Sequence, residues 1–239
     1  MQIRRASARF IDKVPGRATW HSFSFGPFYD PERVGFGAMI CHDEHLLAQG
    51  QGFADHPHEG VDIVTYVVSG ALRHSDSLGN EGVLAAGELG WLRAGSGVHH
   101  AEVAAAPATR FVQVWLQHHG GVPAWHRVPR DHQASPSDPT LALPGGHLRV
   151  LDLAAGERAI VPATPLTHVF VASGALLRHS LAEPLGAGDA LLITADPEGP
   201  TDDIPAAAQQ PDSESPSTVA ALELAAATDA VLLVWTLTS

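Results

Sequence analysis

A chain of 239 residues suffices for one large β domain or two small ones, and an apolar content of 45% can bury a sizeable core. Its 26 acidic and 14 basic residues give a formal net charge of −12, with no Lys/Arg cluster to relieve it. Such a surface repels phosphate backbones and argues against direct nucleic-acid binding, and a single cysteine, Cys41, excludes an intrachain disulfide.

In chain order, Met1-Gln2-Ile3-Arg4-Arg5-Ala6-Ser7 carries two arginines but no apolar run of signal-peptide length follows. No segment approaches a membrane-spanning length, so the expectation is a soluble cytoplasmic chain with no membrane partner. Cys41 ends the apolar run Phe36-Gly37-Ala38-Met39-Ile40 and reads as a small buried hydrophobe rather than a nucleophile. Short β-type runs punctuated by Gly and Pro then follow at 61–68, 111–117, 148–153, 168–172 and 231–237. Helical periodicity is nearly absent; the Ala- and Leu-rich stretch 217–227 is the one predicted helix. This pattern predicts an all-β sandwich or barrel.

The sequence also repeats itself. Val67-Val68-Ser69-Gly70-Ala71-Leu72-Arg73-His74-Ser75 resembles Val171-Ala172-Ser173-Gly174-Ala175-Leu176-Leu177-Arg178-His179-Ser180, and Leu84-Ala85-Ala86-Gly87-Glu88-Leu89 resembles Leu185-Gly186-Ala187-Gly188-Asp189-Ala190. The offset of roughly a hundred residues fits one duplicated domain of ordinary size. Residues 1–117 are read as the first domain, the His-, Pro- and Gly-rich stretch 118–146 as a connection, and 147–239 as the second domain. Within the latter, the acidic Pro/Ser/Gln segment 199–216 lacks apolar anchors and is predicted to be mobile.

Two spaced pairs, one His–His and one His–Glu, carry the chemistry. In His56-Pro57-His58 and His100-Ala101-Glu102 the spacing of two places both side chains on one face of an extended strand. Three imidazoles and a carboxylate make a hard-to-borderline site suited to Fe(II), Mn(II), Co(II), Ni(II), Cu(II) or Zn(II). Gly50-Gln51-Gly52-Phe53 leads into the first pair and Ala94-Gly95-Ser96-Gly97 into the second. His74 with Asp76 reads either as a pair orienting a ligand or as a hairpin anchor. His99 is expected to face outward beside His100. Phe111, Trp91 and Trp115 are read as core, and His42, His45, His118 and His119 as surface residues.

The same residues carry a family resemblance. Trp20-His21-Ser22-Phe23-Ser24-Phe25, Tyr29-Asp30-Pro31, Gly52-Phe53-Ala54-Asp55-His56-Pro57-His58, Thr65-Tyr66-Val67, His74-Ser75-Asp76-Ser77-Leu78-Gly79-Asn80 and Ala94-Gly95-Ser96-Gly97-Val98-His99-His100-Ala101-Glu102 resemble the pirin family, nearest its bacterial quercetin dioxygenase-like members. The match runs from about residue 17 to residue 117 and thins beyond. The resemblance implies a bicupin, two β-barrels in one chain, with one divalent metal held by His56, His58, His100 and Glu102, Fe(II) being the first expectation. The repeat offset lands His56 and His58 near Ile160 and Pro162, which cannot ligate, so the second barrel is expected to be metal-free. Asp62 stands where the family usually has Glu and is read with His74 as a partner behind the ligands. Further departures are Gly90-Trp91-Leu92, His99 and Ala101. The activity implied is opening of a flavonol or related enol by O₂ with loss of CO, with Glu102 as ligand and base. The eukaryotic branch implies the alternative, a non-catalytic iron-binding redox sensor or regulator of protein partners, which an acidic surface also suits. Fold alone admits a third, an isomerase or other cupin activity.

Overall fold

A computed structural model describes residues 1–130, 140–162, 164, 166–177, 184–194 and 221–239. Apart from one 3-10 turn, Ala6–Ala8, its regular elements are strands, and every ladder is antiparallel. A seven-stranded sheet runs Ala124–Val128, Leu89–Arg93, Val61–Ser69, Thr109–Gln117, Met39–Leu47, Arg17–His21, Phe10–Val14. Against it lies a four-stranded sheet in the order Gly52–His58, Val98–Ala104, Ala71–Asp76, Glu81–Ala85. Together they form the first barrel. The second joins a six-stranded sheet (Gln2–Arg4, Ala190–Ile193, Thr167–Ser173, Ala230–Leu237, Gly146–Leu153, Leu141–Leu143) to the pair Arg158–Pro162 and Ala221–Ala225.

Side-chain alternation along each strand sorts the core. On the seven-stranded sheet Val64, Tyr66, Val112 and Val114 project outward and meet Leu148, Val150, Phe170, Leu233 and Trp235 of the second barrel. The two large sheets therefore pack back to back on one shared core. The alternate residues face each barrel's own interior: Val67 and Phe111 in the first, Val169, Val171, Leu232 and Val234 in the second. The repeat is visible at the same turns. Gly70 and Gly174 take φ 77° and 76°, and Gly87 and Gly188 take 86° and 88°, left-handed values that suit glycine. At the second turn Glu88 accepts from the Ala85 N–H, and Asp189 accepts from the Gly186 N–H.

Several expectations need correction. Ala221–Ala225 is a strand rather than part of a helix, with Leu222 and Leu224 buried and Ala221 and Glu223 exposed. Alanine-rich composition hid that alternation, and tertiary pairing with Arg158–Pro162 decides it. Gln2–Arg4 pairs into the second barrel's sheet, although it precedes the first barrel in the chain. Within 118–146, Ala124–Val128 adds to the seven-stranded sheet and Leu141–Leu143 to the six-stranded one. The segment 199–216 lies outside the described residues. Cys41 and Phe111 are buried and His99 and His119 exposed, as expected.

His42 and His45 are buried, not superficial. Their strand, Met39–Leu47, is covered on both faces: His45 packs on Phe53 and Phe111 inside the barrel, while His42 meets His168 and Phe170 between the barrels. In the same seam Glu44 is clamped by Arg9, at 2.7 Å, and by Arg110. Burial pushes the His42 ring down to about 3 and His168 well below the usual histidine value. Both rings are thus neutral in the fold, and neither contributes to a pH slope above about 6.5. Below that value the unfolded chain takes up protons that the folded rings refuse, so stability falls, for His42 until about pH 3. Urea unfolding across pH 7 to 4 is expected to show this loss, up to ~1.4 kcal/mol per pH unit per ring. His42→Gln should flatten the slope; an unchanged slope would mean that His42 is not its source.

Candidate metal centre

On the inner face of the small sheet His56 and His58 meet His100, and Glu102 lies beside His100 and His74. His100 pairs across the ladder with His56, and the register shifts between His100 and Glu102, so that Glu102 lies opposite Phe53. This bulge in the Gly52–His58 strand re-aims its side chains. The His56, His58 and His100 rings lie 4.5–4.9 Å apart, with His56 Nε2 and His100 Nε2 separated by 3.1 Å. Two overlapping groups result: His56, His58 and His100, and His74, His100 and Glu102, each with its donor atoms within 4.8 Å of one another. His100 belongs to both.

The ring nitrogens are available as donors. His56 Nδ1 donates to the Ala54 carbonyl at 2.7 Å, which leaves Nε2 with its lone pair toward the cluster. Burial, then the neighbouring imidazoles, lowers His58 to about 4 and His100 to about 3, so both are neutral. His58 Nε2 is buried with no hydrogen-bond partner. Unpaired buried nitrogens are costly unless something else satisfies them. A borderline divalent cation suits three imidazole nitrogens and a carboxylate, so the residues fit the group that the sequence implied.

Glu102 is fixed from the opposite sheet. Gln113 Nε2 donates to its Oε2 at 2.6 Å and Thr65 to its Oε1 at 3.3 Å, while Trp115 Nε1 donates to Gln113 Oε1 at 3.0 Å and so sets the amide's orientation. Sequence reasoning passed over Gln113. Its signal was present: a polar residue at the inward position between Phe111 and Trp115. Trp115, read as core, is half-buried, stands 4.7 Å from the His58 ring and lines a cavity of about 300 Å³. His56, Glu102 and Gln113 reach that cavity, whose apolar walls include Phe25, Phe28 and Phe53.

His74 lies 5.4 Å from the His100 ring, stacked on Trp125 at 4.6 Å. It bonds Asp76 at 3.2 Å, and Asp76 also accepts from the Leu78 and Asn80 backbones. The pair therefore anchors the hairpin, and His74 abuts His100 as a further candidate donor. Asp62 does not stand behind the ligands. It projects from the other face of its strand from Thr65 and engages Trp91 Nε1 at 3.1 Å, Arg93 at 3.3 Å and half-buried His118 at 2.9 Å.

Gly52 shows how tightly the bulge is built, since a Cβ there would overlap the Glu102 backbone oxygen. Gly52→Ala is expected to cost about 1–3 kcal/mol through overpacking and to lower metal affinity by displacing Glu102. Thermal unfolding and metal titration check this; parental values in both would show that the backbones part without cost.

Two barrels back to back, the first holding two overlapping clusters of candidate metal donors, define a bicupin. The pirin family's sequence profile matches residues 3–116. A Mycobacterium tuberculosis protein named "Putative quercetin 2,3-dioxygenase" is 32% identical over 225 residues, covering 84% of this chain and 90% of that protein. The quercetin 2,3-dioxygenase of Escherichia coli K12 is 36% identical over 116 residues, 48% of this chain and 50% of its own. The crystal structure of the bacterial pirin YhhW from Escherichia coli in complex with nickel(II) superposes with a TM-score of 0.79 at 24% identity, covering 99% of this chain and 98% of that one. The chain belongs to the pirin family.

Proposed function

We infer that this protein is a metal-dependent dioxygenase of the quercetin 2,3-dioxygenase type, which opens a flavonol or related enol with O₂ and releases CO. The observation that carries the reading is Glu102, a carboxylate that lies in one candidate donor group with His100 and His74, lines the aromatic-walled cavity and is held in place by Gln113 and Thr65. The names of the relatives agree with it.

His56, His58, His100 and Glu102 would hold one divalent ion per chain, with Fe(II) first and Ni, Co, Cu, Mn or Zn as substitutes. Among the described residues, both candidate donor groups lie in the first barrel, and the second barrel's interior is filled by aliphatic side chains. When bound, the ion supplies Lewis-acid activation of the enol and O₂. The chain supplies the rest. Phe25, Phe28 and Phe53 stack a planar ring and exclude water. Glu102 takes the enol proton, and the Gln113 amide steadies the carboxylate in both protonation states.

The testing experiment is a screen of flavonols against protein reconstituted with each metal in turn, reading O₂ consumption and CO release. Stoichiometric O₂ uptake and CO release is the expected result. Neither gas changing with any metal would overturn the enzymatic reading in favour of a metal-holding regulator.

A further inference from the structure

We propose that His21, oriented by Asp43, recognises a hydroxyl at the end of the substrate away from the metal ligands, so that the pocket selects planar aromatics hydroxylated at both ends; this rests on the flavonol reading above. The carrying observation is one row of polar residues crossing the seven-stranded sheet. The register places Thr65 opposite Gln113, Gln113 opposite Asp43, and Asp43 opposite His21. Cross-strand partners share a face, and this face is the barrel interior, because Asp43, His21 and Gln113 all line the cavity. Neighbouring strands lie about 4.8 Å apart, so His21 sits roughly 10 Å along the row from the amide that holds Glu102.

The far end is built as a recognition group. His21 Nδ1 donates to Asp43 Oδ2 at 2.8 Å, and both residues are buried. The carboxylate accepts only, so Nδ1 carries a proton and Nε2, which makes no bond among the described residues, is left to meet a hydroxyl. The His21 ring stacks on Phe25 at 5.3 Å and 13°, and Phe25 meets Trp115 edge-on at 5.5 Å. An aromatic wall thus runs from the His21 end to the His58 end, long enough for a rigid flat molecule. The backbone ladder already joins the two strands, so the side-chain pair is not needed to hold them. Burying a carboxylate is costly, and an imidazole held at the lining of an aromatic cavity gives that cost a use. A few placed polar groups in an apolar pocket are what fix a ligand's orientation.

The test measures binding rather than turnover. Metal-loaded protein under nitrogen is titrated with quercetin, hydroxylated on both ring systems, and with 3-hydroxyflavone, which keeps only the 3-hydroxyl; tryptophan fluorescence reports the Kd. His21→Phe keeps the stack on Phe25 but removes Nε2. It is expected to raise the Kd for quercetin about tenfold while changing that for 3-hydroxyflavone less than about twofold. His21→Gln, which restores a hydrogen-bonding group, should recover part of the loss. If His21→Phe does not fold, by far-ultraviolet circular dichroism, Asp43→Ala carries the same comparison, since it removes the acceptor that orients the His21 ring. Equal weakening of both ligands, or of neither, overturns the assignment of His21 and leaves the flavonol reading standing. A parent protein that binds neither ligand overturns both.

Discussion

His100→Ala is expected to empty the metal centre and to abolish flavonol turnover, the largest effect of any single substitution in this chain. His100 is the donor common to both groups, and its ring lies within 5 Å of both His56 and His58. Changes behind the ligands cost about 10–100-fold in metal affinity in comparable sites, and removal of a ligand exceeds that. Without His100 the cluster keeps His56 and His58 but lacks a third nitrogen. Elemental analysis after dialysis should find less than one-tenth of the parental metal, with O₂ uptake falling in proportion. Full metal content in the variant would place the site elsewhere. Metal retained together with lost turnover would instead make His100 a catalytic group and not a ligand.

Glu102→Gln is the second large effect, and it separates holding the metal from using it. The amide keeps the side chain's length and an oxygen that can still accept from Gln113. It loses the negative charge and the basicity. Metal affinity should fall, and at equal metal occupancy turnover should drop about a hundredfold or more, the usual contribution of one general base. Ala101→Ser is the matched control. Its side chain lies between two inward-facing positions and so points away from the donors. It should leave both readouts near the parental value. Equal turnover in fully loaded Glu102→Gln would remove Glu102 as the base.

Much of the centre was legible because its signals are local. A spacing of two in His56-Pro57-His58 and His100-Ala101-Glu102 forces each pair onto one face of a strand, whatever the strand packs against. The turns were legible for the same reason: Gly70, Gly87, Gly174 and Gly188 take backbone angles that few other residues tolerate. The Ala221–Ala225 strand was not, since alanine and leucine favour a helix in isolation and only the partner strand Arg158–Pro162 reverses that preference.

By itself the sequence determined the all-β class and the duplication and singled out four candidate donors, because each depends on residues a few positions apart. Tertiary structure decided which face of each strand meets which neighbour. It buried His42 against the second barrel and His45 against Phe111, turned Asp62 away from the ligands toward Trp91, made Trp115 a cavity wall and aligned Gln113, Asp43 and His21 into one row. Alternation gives every strand two faces of fixed composition. Whether a face meets solvent, a core or a pocket is set by strands distant in the chain, whose register no local pattern encodes.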